Sequence, residues 1–228
     1  MGRYKHGKQK EIIPYPEIVE RMKQATANGL ELEKRAYFWI LYYCGVRKSE
    51  AYERTIDDVV VTDESIILDF HKRKKGGETV TPLEIPRFFV GMDDLVKQHK
   101  AMSERKPYTK SVYVRESHKW VKQSIKGKWL FPKIQSSSAW YVIKKILGEN
   151  YYPHFLRLNR ISEICLEPSA NMVRVKSFTG IKTARIIDAY LGTAKKEQTI
   201  AFKLMAENIR KQMETENRDS ETTQYGLQ

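Results

Sequence analysis

Between residues 59 and 85 the chain carries three short runs rich in β-branched side chains, at 59–61, 65–72 and 79–85, and these limit what it can fold into. Thr62-Asp63-Glu64 separates the first two runs and Gly76-Gly77 turns the second into the third. Pro86 has no N–H to give to a ladder and stops the third. The pattern predicts a three-stranded antiparallel meander, too small to be the core of a 228-residue chain. No other stretch reads as β, so helices must build the core.

Helix signals fill the rest. Pro16 opens a helix where its missing N–H costs nothing, Ile18, Met22 and Ala25 mark its inner face, and Gly29 closes it. A second helix spans about residues 30–44, buries Tyr37, Phe38, Ile40, Leu41 and Cys44, and ends at Gly45. A short helical turn follows at 49–54. After Pro86 the reading is a helix at 88–102, then a looser segment rich in Lys and Trp, then an extended stretch at Leu130-Phe131-Pro132. Residues 136–138 cap a helix that ends near Gly148, and further helices cover about 155–166, 183–191 and 195–213. The fold class is mainly α with a small three-stranded antiparallel sheet (α+β). Residues 1–14 read as a basic arm or linker, 15–194 as the main domain, 195–213 as a C-terminal helix and 214–228 as a polar tail.

Net charge is +13, so a polyanion is the natural partner, because it neutralises the surplus and releases counterions. Membrane surfaces also attract cations, but no apolar run approaches the ~20 residues that span a bilayer, and no secretory signal precedes the fold. Cys44 and Cys165 sit among apolar neighbours without metal-ligand spacing, which points to buried, reduced thiols and an intracellular setting. No His/Cys cluster resembles a zinc site.

Three segments carry candidate chemistry. GVRKSEA (45–51) places Arg47 just after a helix-ending glycine, with Glu50 three positions on. An always-charged, forked guanidinium at a helix end suits phosphate recognition, and Glu50 can orient it; a plain surface Arg–Glu pair is the competing reading. His154-x-x-Arg157 opens a helix, so an imidazole and a second guanidinium can share one face. By itself this spacing is common. Of thirteen tyrosines, Tyr190 is distinguished by context: it ends a helix with Thr183, Arg185 and Asp188, and precedes Gly192 and a basic–apolar helix. A phenol with a pKa near 10 becomes a useful nucleophile only where cations hold a phosphate in line and stabilise the developing charge.

Together these segments resemble the tyrosine-type site-specific recombinases of the phage-integrase family. GVRKSEA is similar to the family's first box, and the lysines before Gly76-Gly77 with Val80-Thr81-Pro82-Leu83 after them resemble its lysine-bearing hairpin. WLFP (129–132) looks like its Leu-Phe-Pro lead-in, HFLR (154–157) like its H-x-L-R box, and FTGIKTARIIDAY (178–190) like the segment ending in the nucleophile. The order and spacing agree over about residues 12–205, and LGTAKKEQ after Tyr190 most resembles integrases of archaeal viruses and plasmids.

The resemblance implies roles. Arg47 and Arg157 would bind the non-bridging oxygens of a scissile phosphate, His154 would give or take a proton, and a hairpin lysine would protonate the departing 5′-oxygen. Alignment on Pro82 favours Lys74, with Lys72 and Lys75 as alternatives. Tyr190 would form a 3′-phosphotyrosyl link. No metal or other cofactor is implied; the partners would be a double-stranded DNA attachment site and further copies of the chain in a tetramer on it, with the 195–213 helix exchanged between protomers. Two departures stand out. Where the family has His or Trp after the last-box glycine, Gly180 is followed by Ile181 and Lys182; Ile181 has no side-chain donor, which leaves Lys182 as a substitute. The stretch before Arg47 is also too short for the family's core-binding domain, so the sequence is expected to be a shortened chain or a minimal relative. The main alternative is a non-catalytic DNA-binding relative of the same fold. A topoisomerase-like enzyme leaves the integrase-like tail unexplained, and no carboxylate pair converges on one face as a metal nuclease needs.

Overall fold

The computed structural model describes residues 12–70, 82–116 and 119–166. Helix α1 (Tyr15–Ala27) has Pro16 in its first turn and buries Ile18, Met22 and Ala25, the face the sequence marks. Helix α2 (Leu32–Cys44) is the centre of the molecule: Ala36 through Cys44 are buried without a break. A helix apolar on all sides must be surrounded. Helices α3 (Lys48–Tyr52), α4 (Met92–Ser103), α5 (Ser136–Leu147) and α6 (Pro153–Leu166) pack against it, and α1 lies on α5. Gly45, in the left-handed region at φ 54°, returns its N–H to the Leu41 carbonyl at 3.1 Å and turns the chain sharply into α3.

Strands β1 (Val59–Val61), β2 (Ser65–Leu68) and β3 (Leu83–Pro86) form the predicted antiparallel sheet in the order β1-β2-β3. Val60 opposes Ile67, and Ile66 opposes Ile85. Ile66 and Leu68 are fully buried and join the helical core, so the sheet is a flank of that core and not its centre. The proposed turn at Gly76-Gly77 lies outside the described residues.

The structure corrects three expectations. Helix α4 begins at Met92 and not at residue 88, because Gly91 stands before it at φ +85°. A Cβ on Gly91 would lie 2.0 Å from Nε1 of the buried Trp39 indole, so a helix running straight through from residue 88 has neither the backbone angle nor the space. Phe88 is left 83% exposed in the turn. The second correction is larger. The Lys- and Trp-rich segment is a second β element: β4 (Tyr108–Glu116) and β5 (Lys119–Gly127) pair antiparallel over nine positions as a two-stranded ribbon. Its charge hides the β-branched and aromatic content that makes it a strand pair. Of the two thiols, Cys44 is buried but Cys165 is only half-buried; neither is in a disulfide.

The root of the ribbon is fixed by Lys110, a lysine only 3% exposed. Its ammonium donates to the carbonyls of Tyr52 at 2.6 Å and Phe131 at 2.8 Å, and lies over the rings of Tyr52 and Trp129. Tyr52 ends α3 and Phe131 belongs to the extended WLFP segment, so one buried cation ties the ribbon to both. Thr55 bridges to Trp129 beside it.

Candidate active site

Arg47 is the residue before α3, in extended conformation. Its backbone N–H donates to Glu50 Oε2 at 2.7 Å and its guanidinium to Oε1 at 2.8 Å, so one carboxylate closes the helix start and aims the side chain. The Arg47 side chain stays 44% exposed while that of Glu50 is 13% exposed. The guanidinium is therefore oriented from behind and open in front. Burial alone would raise the Glu50 carboxyl; its hydrogen bonds from Arg47 and the charges of Arg47 and Arg157 bring it below the ordinary value.

Arg157 comes from the far end of the sequence on α6 and is 3% exposed. Its guanidinium donates to the Gly45 carbonyl. That bond joins the HFLR turn to the GVRKSEA turn and sets a cation against the C-terminal, negative end of α2. His154, one helical turn earlier on α6, is exposed. Partial desolvation, then the charge of Arg157, then that of Arg47 hold its imidazole below the ordinary 6.5. The Arg157 bond to the Gly45 carbonyl, two residues before Arg47, brings α6 to the turn that leads into α3, and the charges of Arg47 and Arg157 bear on both His154 and Glu50.

Lys48 adds a neighbour that the sequence did not single out. Its ammonium donates to Ser136 Oγ at 2.7 Å, lies 5.8 Å from the Trp140 ring centroid, and is lowered by burial. It ties the start of α3 to the start of α5. Arg47 and Arg157 thus set two guanidinium charges against the one carboxylate of Glu50, a balance suited to an anion.

Lys72, Lys74 and Lys75, in the connection between β2 and β3, lie outside the described residues, as do Lys182 and Tyr190. Among the described residues no group of three or more His, Cys, Asp or Glu side chains is placed to hold a metal ion, and no helix is long and apolar enough to cross a membrane. A concavity of about 690 Å³ is lined by Asp63, Glu64, Ser65, Glu84, Pro86, Arg87 and Phe88. It contains none of the candidate site residues, and its three carboxylates disfavour a phosphate ligand.

No protein-family profile matches the sequence, and no curated protein matches it significantly. Solved structures do match in fold. The XerH site-specific recombinase bound to palindromic difH substrate, in a post-cleavage complex, superposes with a TM-score of 0.62 at 14% identity, over 85% of this chain and 53% of that one. The XerA recombinase gives 0.57 at 13% identity, over 88% of this chain and 66% of that one. The XerH pre-cleavage complex with difH gives 0.58 at 13% identity, over 80% and 50%. The chain spans between half and two thirds of the length of these recombinases. At such identities the likeness speaks for architecture alone: the chain has the fold of a tyrosine-recombinase catalytic domain.

Proposed function

We propose that this chain is a site-specific DNA recombinase of the integrase type, which cuts and rejoins DNA through a 3′-phosphotyrosyl intermediate. The observation that carries the reading is the junction of Arg47 and Arg157 around Glu50 and His154, on a fold shared with XerH and XerA. In this reading the two guanidinium groups bind the non-bridging oxygens of a scissile phosphate and stabilise the charge of a five-coordinate transition state. Tyr190 Oη forms the bond to phosphorus while the bond to the 5′-oxygen breaks. His154, kept neutral near pH 7 by its surroundings, accepts the phenol proton. Lys74, or else Lys72 or Lys75, gives a proton to the departing 5′-oxygen. Lys182 takes the place left by Ile181. The free 5′-hydroxyl of a partner strand then attacks the phosphotyrosine and reverses the steps, so that neither hydrolysis nor an external energy source enters.

The further parts of the proposal are a catalytic unit over 15–194, a 195–213 helix exchanged between protomers in a tetramer on the DNA, an intracellular site of action, and an origin in an archaeal virus or plasmid. The second reading, a non-catalytic DNA-binding relative, is favoured by one observation, the Ile181 that follows Gly180. A pool of nicked duplexes of randomised sequence separates the two. Recombinase chemistry predicts a denaturant-stable protein–DNA adduct, whereas salt-sensitive binding with no adduct on any member of the pool selects the second reading.

A further inference from the structure

The β4–β5 ribbon has two unlike faces. Directly opposed residues of an antiparallel pair lie on the same face. Lys110 opposes Ile125 and Val112 opposes Gln123, and this side holds the buried Lys110 and Val112 that root the ribbon on the domain. On the other side Thr109 opposes Lys126 and Ser111 opposes Ser124, with Lys122 two residues before Ser124. Thr109, Lys122, Ser124 and Lys126 are exposed and Ser111 is half-exposed. The described part of this outer face therefore carries two ammonium groups, three hydroxyls and no carboxylate. Among the described residues neither Lys122 nor Lys126 has an ion-pair partner.

We infer that this outer face is a second DNA-contacting surface, which grips the phosphate backbone of duplex flanking the point of cleavage. Charge chooses the partner: ammonium and hydroxyl donors without a competing acid match a row of phosphate oxygens and match an acidic protein surface less regularly. Dimensions agree. Nine paired residues at ~3.3 Å each make a ribbon about 30 Å long, and a two-stranded ribbon is narrow enough for the ~12 Å major groove. The anchoring agrees as well. Lys110 bonds the ribbon root to the end of α3, the short helix that begins just after Arg47, so a load on the ribbon is carried by the element that presents Arg47.

The inference rests on the proposed function, since it supposes that DNA is the partner, and the test keeps the two apart. The whole chain, the Lys122→Gln/Lys126→Gln variant and a control Lys23→Gln/Lys97→Gln variant, whose lysines are equally exposed on α1 and α4, are titrated with a mixed-sequence duplex over a range of salt. The ribbon variant should bind roughly tenfold or more weakly than wild type, with the slope of log affinity against log salt reduced by about two, one for each lost phosphate contact. The control variant should lose much less of both. Equal losses in the two variants would mean a diffuse effect of net charge and would overturn the ribbon assignment. An unchanged ribbon variant beside a wild type that binds well overturns it too, and leaves the proposed function standing. A wild type with no salt-dependent DNA binding overturns both.

Discussion

Replacing Lys110 with methionine keeps most of the stem and removes the charge, and its effect on stability should depend on pH in a definite sense. Burial drops the Lys110 ammonium from 10.5 to about 8, against the opposing pull of Glu33 and Glu53. An unfolded chain restores the ordinary value, so between those two limits the unfolded state binds more protons than the native state, and stability rises with pH. At pH 7 the native protein carries a charging cost of about 3 kcal/mol; at pH 9 the cost has fallen to about 2 kcal/mol, a gain of about 1 kcal/mol. Above that, the buried tyrosines Tyr37, Tyr42 and Tyr43, whose phenols are pushed up by burial, bring in a dependence of the opposite sign, so the useful window closes near pH 9. The level of stability is a poor readout, because the substitution also leaves the Tyr52 and Phe131 carbonyls without their donor, at about 1–3 kcal/mol each. The slope is the readout. Urea melts at pH 7, 8 and 9 should show wild type gaining about 1 kcal/mol more than Lys110→Met across the range. Parallel curves for the two proteins would refute the placing of a charged lysine in the root of the ribbon.

Arg47→Lys keeps the charge but loses the two-pronged geometry, so it should cut the rate of strand cleavage far more than DNA affinity; equal losses would reduce Arg47 to a phosphate anchor. Arg47→Gln removes a positive field from His154, so the imidazole should titrate at higher pH than in wild type and the acid limb of the cleavage profile should move with it. An NMR titration that shows His154 unmoved would separate the two residues. Gly91→Ala should cost more than about 2 kcal/mol in a denaturant melt, since the residue sits at φ +85° with Trp39 where its Cβ must go; a near-neutral result would mean that this turn is wrongly placed.

What the sequence made legible was local. Pro16, Gly29 and Gly45 mark helix ends by backbone rules that need no tertiary context, and the runs at 59–61 and 65–72 mark β1 and β2 by residue type. What it concealed depended on distant contacts. The start of α4 is set by Trp39, some fifty positions away, through its pressure on Gly91. The β4–β5 ribbon reads as a polar loop because lysines interrupt its alternation, and nothing local tells that Lys110 turns inward while Lys122 and Lys126 turn out. In the site, Glu50 could be matched to Arg47 from their spacing, but the meeting of Arg157 with the Gly45 carbonyl follows only from the packing of α6 on α2. The roles of Lys72, Lys74, Lys75, Lys182 and Tyr190 rest on the sequence resemblance.

Tyr190→Phe tests the central claim most directly, because it removes one oxygen and nothing else. The variant and wild type are incubated with the nicked duplex pool, denatured, and scored for covalent protein–DNA adduct, with Tyr151→Phe and Tyr152→Phe, two tyrosines close to His154 in sequence, as controls. Wild type and both controls should form the adduct; Tyr190→Phe should bind DNA as well as wild type, since lysines and arginines supply the salt-sensitive affinity, and form none. A Tyr190→Phe protein that still attaches covalently to DNA would contradict the account.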